Sequence, residues 1–194
     1  AAELLKISAL KDGYIINESQ PDYLIVLEED ATLAKEEYVL LPEAKKIVIK
    51  GGDGVGVIYG TYTLIEDLRN GVSLQSTKSK TEKPRLPFRG IKYDLPWDTY
   101  RHSYALDQHQ QICGDVAYWK SFLDMMVENR FNVLTLWNLH PYTFMIKPKN
   151  FPEASPWSEG EMMEWKKLFG SIFKMASERG IDTYVVPFNI FVTP

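Results

Sequence analysis

Only one cysteine, Cys113, occurs in the 194 residues, so the chain has no internal disulfide and no cysteine-cluster metal site. That scarcity leaves the compartment open, because many exported bacterial proteins also lack disulfides. No apolar run approaches the ~20 residues that a membrane-crossing helix needs. No signal-peptide pattern is expected in these 194 residues. Ala1-Ala2-Glu3 leads straight into folded-looking sequence, a start that suits a mature end or a trimmed chain. Basic charge is short: 22 Lys and Arg stand against 26 Asp and Glu, a net charge of −4. A nucleic-acid binder needs a basic face for the phosphates, so the balance argues against a general nucleic-acid binder. The three histidines, His102, His109 and His140, have no spacing that suggests a metal site.

What is present is an ordinary globular composition, 45% hydrophobic and 25% charged, with aromatics at 13%. The length suits one large domain or two smaller ones. The first part reads as short strands: Leu4 to Leu10, Tyr23 to Leu27, Glu37 to Leu41 and Lys46 to Ile49, with Pro42-Glu43-Ala44 as the turn between the last two. A helix follows, with Ile58, Tyr62, Ile65, Leu64 and Leu68 at helical spacing and Asn70-Gly71 closing it. Residues 75–87, polar and ending in two prolines, read as a linker or exposed crossing with the boundary near residue 85. From Phe88 the rhythm becomes strand, helix, strand, helix, strand. Strands are expected at Phe88 to Leu95, Asn132 to Trp137 and Ile181 to Phe188. Helices are expected at Asp115 to Arg130, with Val116, Trp119, Leu123 and Met126 inward, and at Glu159 to Arg179, ended by Gly180. Apolar strands alternating with helices predict a parallel sheet covered by helices.

The stretch IKGGDGVGVIYG, residues 49–60, invites a nucleotide reading. A dinucleotide loop requires G-x-G-x-x-G, but from Gly52 or Gly54 the sixth position is Val57 or Tyr59. No Gly-Lys-Ser/Thr follows either. The cluster is therefore a turn, with Gly56 and Gly60 admitting close contact between helix and sheet. No cofactor is implied.

Three patterns carry a family resemblance: Glu37-Tyr38-x-Leu40, then Ile47-x-Ile49-x-Gly51, then Gly56-x-x-Tyr59-Gly60-x-x-x-Leu64-x-x-x-Leu68. Over residues 20–71 this series resembles the small α+β domain that precedes the barrel in the β-hexosaminidases of glycoside hydrolase family 20 and the α-glucuronidases of families 67 and 115. The resemblance implies an accessory domain without chemistry over residues 1–85. It also implies the N-terminal, incomplete part of a (β/α)8 catalytic barrel over residues 86–194. The expected fold class is thus an α+β unit followed by the first βαβαβ part of a TIM-type barrel.

The same resemblance assigns the Arg-Gly motif of the first barrel strand to Arg89-Gly90, and Arg89 to sugar hydroxyls; its planar guanidinium offers paired donors. A salt bridge with the linker or the first domain is the other reading of Arg89. Asp94 lies at the C-terminal end of that strand, with Trp97, Asp98, Arg101 and His102 on the loop after it, where barrel enzymes place their sites. Trp97 stacks on a sugar or buries against Trp137; Asp98 binds substrate or serves as a turn or cap residue. At the end of the next strand, Trp137 offers a ring face and Asn138 and His140 offer polar groups, although His140 also suits a backbone-bonded loop position. Asn189 repeats the geometry after the third strand. Asn132-Val133 keeps the hexosaminidase pattern, but Leu134 to Pro141 departs from it, which counts against N-acetylhexosaminidase activity. The runs at Glu159, Glu161, Met162 and Met163 read as helix surface and core.

Glycosidic hydrolysis needs two suitably spaced carboxylates, and the resemblance puts the main catalytic acid on a later strand, downstream of residue 194. The leading expectation is the N-terminal portion of a glycoside hydrolase acting on complex glycans that contain uronic acid or hexosamine. The partner is an oligo- or polysaccharide, the location periplasmic or extracellular in a bacterium, and the isolated chain inactive. A non-catalytic carbohydrate-binding protein with a degenerate barrel is the alternative. A small α/β domain of another class is a third reading.

Overall fold

The computed structural model describes residues 1–11, 13–17, 19–95, 104–137, 145–154 and 157–186. The chain divides into two compact units, Ala1–Pro87 and Phe88–Pro194.

The first unit opens with helix α1, Ala2–Lys11, where a strand was expected. The buried residues are Leu5, Ser8 and Ala9, the i, i+3, i+4 stripe of a helix. A strand would have hidden Ile7 together with Leu5 and Ala9, yet Ile7 is 48% exposed. Strands β1 (Leu24–Glu29), β2 (Tyr38–Glu43) and β3 (Lys46–Gly51) follow. β2 and β3 pair antiparallel, with Glu43 opposite Lys46, so the turn is Ala44-Lys45 and Pro42 and Glu43 belong to the strand. β1 lies on the far side of β3 and parallel to it.

Helix α2, Gly54–Arg69, covers this sheet. Asp53 caps it by accepting from the Gly56 amide at 2.8 Å, and Gly71, at φ +81°, terminates it. The sheet presents Tyr38, Leu40, Ile47 and Ile49 to the helix, all essentially inaccessible to solvent. A methyl placed on Gly60 would lie 2.6 Å from Ile49 Cγ2, and one on Gly56 would collide with the Glu37 carbonyl oxygen. These glycines allow close packing and form no phosphate cradle.

Part of the expected linker is structured. A 3-10 turn at Leu74–Ser76 leads to a short edge strand, β4 (Lys80–Glu82), antiparallel to β2. Side chains fasten this strand: the Tyr38 hydroxyl donates to the Glu82 carboxylate. The Lys80 ammonium lies 2.8 and 2.9 Å from the two Asp67 oxygens. The sheet order is β1-β3-β2-β4.

The second unit is a parallel sheet ordered β5-β6-β7, with β5 at Gly90–Asp94, β6 at Val133–Trp137 and β7 at Asp182–Val186. Helix α3 (Tyr104–Cys113), absent from the sequence expectation, precedes α4 (Val116–Glu128), and α5 (Glu159–Ser177) connects β6 to β7. Asp115 caps α4 through the Ala117 amide. A reciprocal Ser158–Glu161 capping box starts α5. Trp119, Leu123 and Met126 are fully buried, which contributes about 1.5–3 kcal/mol each. Val116, expected inward, is 45% exposed, because it occupies the first turn beside the cap. α4 and α5 pack together and are joined by an ion pair, Arg179 Nη2 to Asp124 Oδ1 at 2.6 Å.

Candidate functional site

Strand pairing sorts the second unit's side chains into rows. Ile91 stands beside Leu134 and Tyr93 beside Leu136 on the face that the helices cover, since the Tyr93 ring lies 4.8 Å from Trp119 and 5.3 Å from Phe122. The alternate residues form the opposite face: Lys92, Thr135 and Tyr184 in one row, Asp94, Trp137 and Val186 in the next. Only β6 is close to continuously buried; β5 alternates exposed and half-buried positions. The sheet is therefore apolar beneath the helices and polar and aromatic on its other side.

The last row lies at the carboxyl ends of the parallel strands, where open and closed α/β sheets receive ligands. Asp94 Oδ1 is 3.0 Å from Lys92 Nζ. The same ammonium stands 4.6 Å from the centroid of the Trp137 ring. The Trp137 indole nitrogen donates to Thr135 Oγ1 at 2.8 Å, and Thr135 Oγ1 donates to the Ile91 carbonyl oxygen at 3.4 Å. A carboxylate, a cation, a hydroxyl and an indole are thus gathered on one edge. A saccharide suits that set, because its C–H face can lie against an aromatic ring while its hydroxyls pair with the carboxylate.

Asp94 and Trp137, both expected from the sequence, are brought together here as register partners. Arg89 is not with them. It precedes the amino end of β5, and its Nε donates to the Arg130 carbonyl oxygen just past α4. Its amide donates to Asn132 Oδ1 at 2.9 Å, and the Asn132 amide donates back to the Arg89 carbonyl at 3.0 Å. At ~3.3 Å per residue, Arg89 and Asp94 lie about 16 Å apart along the strand. Through these bonds Arg89 joins the start of β5 to the start of β6. Trp97, Asp98, Arg101, His102, Asn138, His140 and Asn189 lie outside the described residues.

Lys92 and Thr135 were missed by the sequence reading. The signal that finds them is the strand period of two, which puts Lys92 on the side of Asp94 and Thr135 on the side of Trp137.

On the covered face, the Tyr93 hydroxyl lies 3.3 Å from Cys113 Sγ, 3.1 Å from the Tyr118 hydroxyl and 3.3 Å from His109 Nε2. Burial, then the hydrogen bonds to Cys113 and Tyr118, push the Tyr93 hydroxyl's pKa well above its usual value. Burial likewise raises the Cys113 thiol, against a smaller opposing effect of the Tyr93 hydrogen bond. Neither is an activated nucleophile; the group is an internal polar knot between β5, α3 and α4. Among the described residues no three His, Cys, Asp or Glu side chains are placed to hold a metal, and no helix is long and apolar enough to cross a membrane.

Comparison with known proteins agrees with the family resemblance seen in the sequence. Residues 2–81 match the family model described as glycosyl hydrolase family 20, domain 2. A solved glycoside hydrolase family 138 enzyme targeting pectin rhamnogalacturonan II is 28% identical with a TM-score of 0.82, over 98% of this chain and 23% of its own. A glycoside hydrolase family 20 β-N-acetylglucosaminidase is similar at 19% identity and a TM-score of 0.58, over 96% of this chain and 35% of its own. A β-N-acetylhexosaminidase from Bacteroides fragilis is 18% identical, TM-score 0.54, over 90% of this chain and 34% of its own. The two latter likenesses concern the fold alone. The chain spans between about a quarter and about a third of the length of these structures. No curated protein sequence matches.

Proposed function

We propose that this chain is the N-terminal portion of a carbohydrate-active glycoside hydrolase, with residues 1–85 an accessory α+β domain and residues 86–194 the opening arc of a (β/α)8 barrel. The barrel reading is supported by three parallel strands in sequential order with helices on one face and a polar, aromatic surface on the other. One observation carries the functional reading: Asp94, Trp137 and Lys92 meet at the carboxyl edge of that sheet. Asp94 and Trp137 are the proposed substrate contacts among the described residues. Trp97, Asp98, Arg101, Asn138, His140 and Asn189 remain proposed contacts from the sequence.

The substrate class is a complex glycan containing uronic acid or hexosamine, in keeping with the pectin-directed and acetylglucosamine-directed relatives. A periplasmic or extracellular location suits such a substrate. Glycoside hydrolysis uses two carboxylates, and the described edge supplies only Asp94, already paired with Lys92. Binding without hydrolysis is therefore expected of this chain, the catalytic carboxylates being supplied by further strands.

Isothermal titration against N,N′-diacetylchitobiose and rhamnogalacturonan II oligosaccharides, with a parallel reducing-sugar assay, tests the proposal. Trp137→Ala and Asp94→Asn should each weaken saccharide binding about tenfold, equivalent to ~1.4 kcal/mol. Absence of binding to either probe, or variants that bind like the parent, would overturn it.

A further inference from the structure

Lys92 occupies an unusual position for a strand lysine. It stands in the row below Asp94 and Trp137, on the face opposite the helices, and its side chain runs along the sheet to the last row. There the ammonium meets the Asp94 carboxylate at 3.0 Å and the Trp137 ring at 4.6 Å. The indole is also tied at its nitrogen to Thr135, 2.8 Å away. We infer that Lys92 is the positioning residue of this edge: its ammonium fixes the Asp94 carboxylate and the Trp137 ring relative to each other. The inference rests on the saccharide reading above and adds to it the group that organises the site.

The physical case is geometric. A cation over a half-buried ring and an exposed ion pair are each modest contacts. Their joint effect is to remove freedom from two side chains on different strands. The Thr135 hydrogen bond holds the indole at its nitrogen. The ammonium supplies a second point, on the ring face. The same ammonium holds the Asp94 carboxylate at 3.0 Å. A binding edge whose groups are already placed loses less freedom when ligand arrives. Lys92 acts through these two residues and makes no contact with the sugar itself. An arginine could replace it, because a guanidinium both stacks on aromatic rings and pairs with carboxylates.

The chain labelled with 5-fluorotryptophan tests this, the Trp137 fluorine resonance being identified by its loss in Trp137→Phe. In Lys92→Met the Trp137 resonance should shift and broaden, with the other tryptophan resonances unchanged as a control for folding. Lys92→Arg should restore it; Lys92→Gln serves if the methionine variant perturbs the fold. Affinity for whichever saccharide probe binds should fall about fivefold in Lys92→Met, the scale of one modest cation–π contact, and return in Lys92→Arg. A Trp137 resonance identical in parent and Lys92→Met overturns the positioning role, even where the parent binds sugar. If the resonance moves but neither N,N′-diacetylchitobiose nor rhamnogalacturonan II oligosaccharides bind the parent, the positioning role stands and the saccharide reading falls.

Discussion

A single methyl group discriminates between the glycines of this chain. At Gly60 it would press into Ile49 and, at 3.0 Å, into the Tyr38 ring, both part of a core with no room to give. Gly60→Ala should cost the first unit about 1–3 kcal/mol. Gly170, on the exposed side of α5, has nothing within 4 Å of the same position. Gly170→Ala should instead stabilise the second unit by about 0.5–1 kcal/mol through helix propensity. Urea titrations followed by circular dichroism check both signs. The structural role of the glycine corner was legible in the sequence, because a phosphate loop demands a spacing that Val57 and Tyr59 break. Arg89 and Lys92 were not legible in the same way. A strand's sequence does not say which end a long side chain turns toward, nor which face its neighbours cover.

At the level of elements, α5 and the glycine helix α2 were plain because their periodicity is long and their ends are marked. α1 was misread because Leu4, Leu5, Ile7 and Leu10 offer apolar residues to either period. Contact with α2 decides for the helix. β4 looked like a linker because three residues carry no pattern; its place is set by pairing with β2 and by Tyr38 and Asp67, remote in sequence. The link between α4 and α5 has a testable pH signature. Burial alone would raise the Asp124 carboxyl, but hydrogen bonds from Lys120 and Arg179 outweigh it, and its pKa lies below the ordinary 3.8. The unfolded chain then takes up the proton at higher pH than the folded one. The stabilisation is complete above the ordinary carboxylate value and is lost as pH falls through the lowered folded value. Acid titration followed by tryptophan fluorescence should show that Asp124→Asn destabilises the second unit at pH 7 while leaving it less sensitive to acid than the parent.

For the molecule as a whole, the second unit's described sheet ends on β5 and β7, and each is an outer strand. Tyr184, at its centre row on β7, is 52% exposed. Outer strands and apolar surface invite pairing with other chains. Sedimentation velocity should therefore show concentration-dependent self-association of the 194-residue protein, and a monodisperse monomer at every concentration would contradict this. The first unit's sheet has a different history written into it. β1 comes before the β2–β3 hairpin in the chain, yet its partner is β3, with Leu24 beside Lys46. Hairpins close locally, whereas parallel partners must be brought together across intervening sequence. The β2–β3 hairpin is therefore expected to close first, and β1, though made earlier, to join the sheet last.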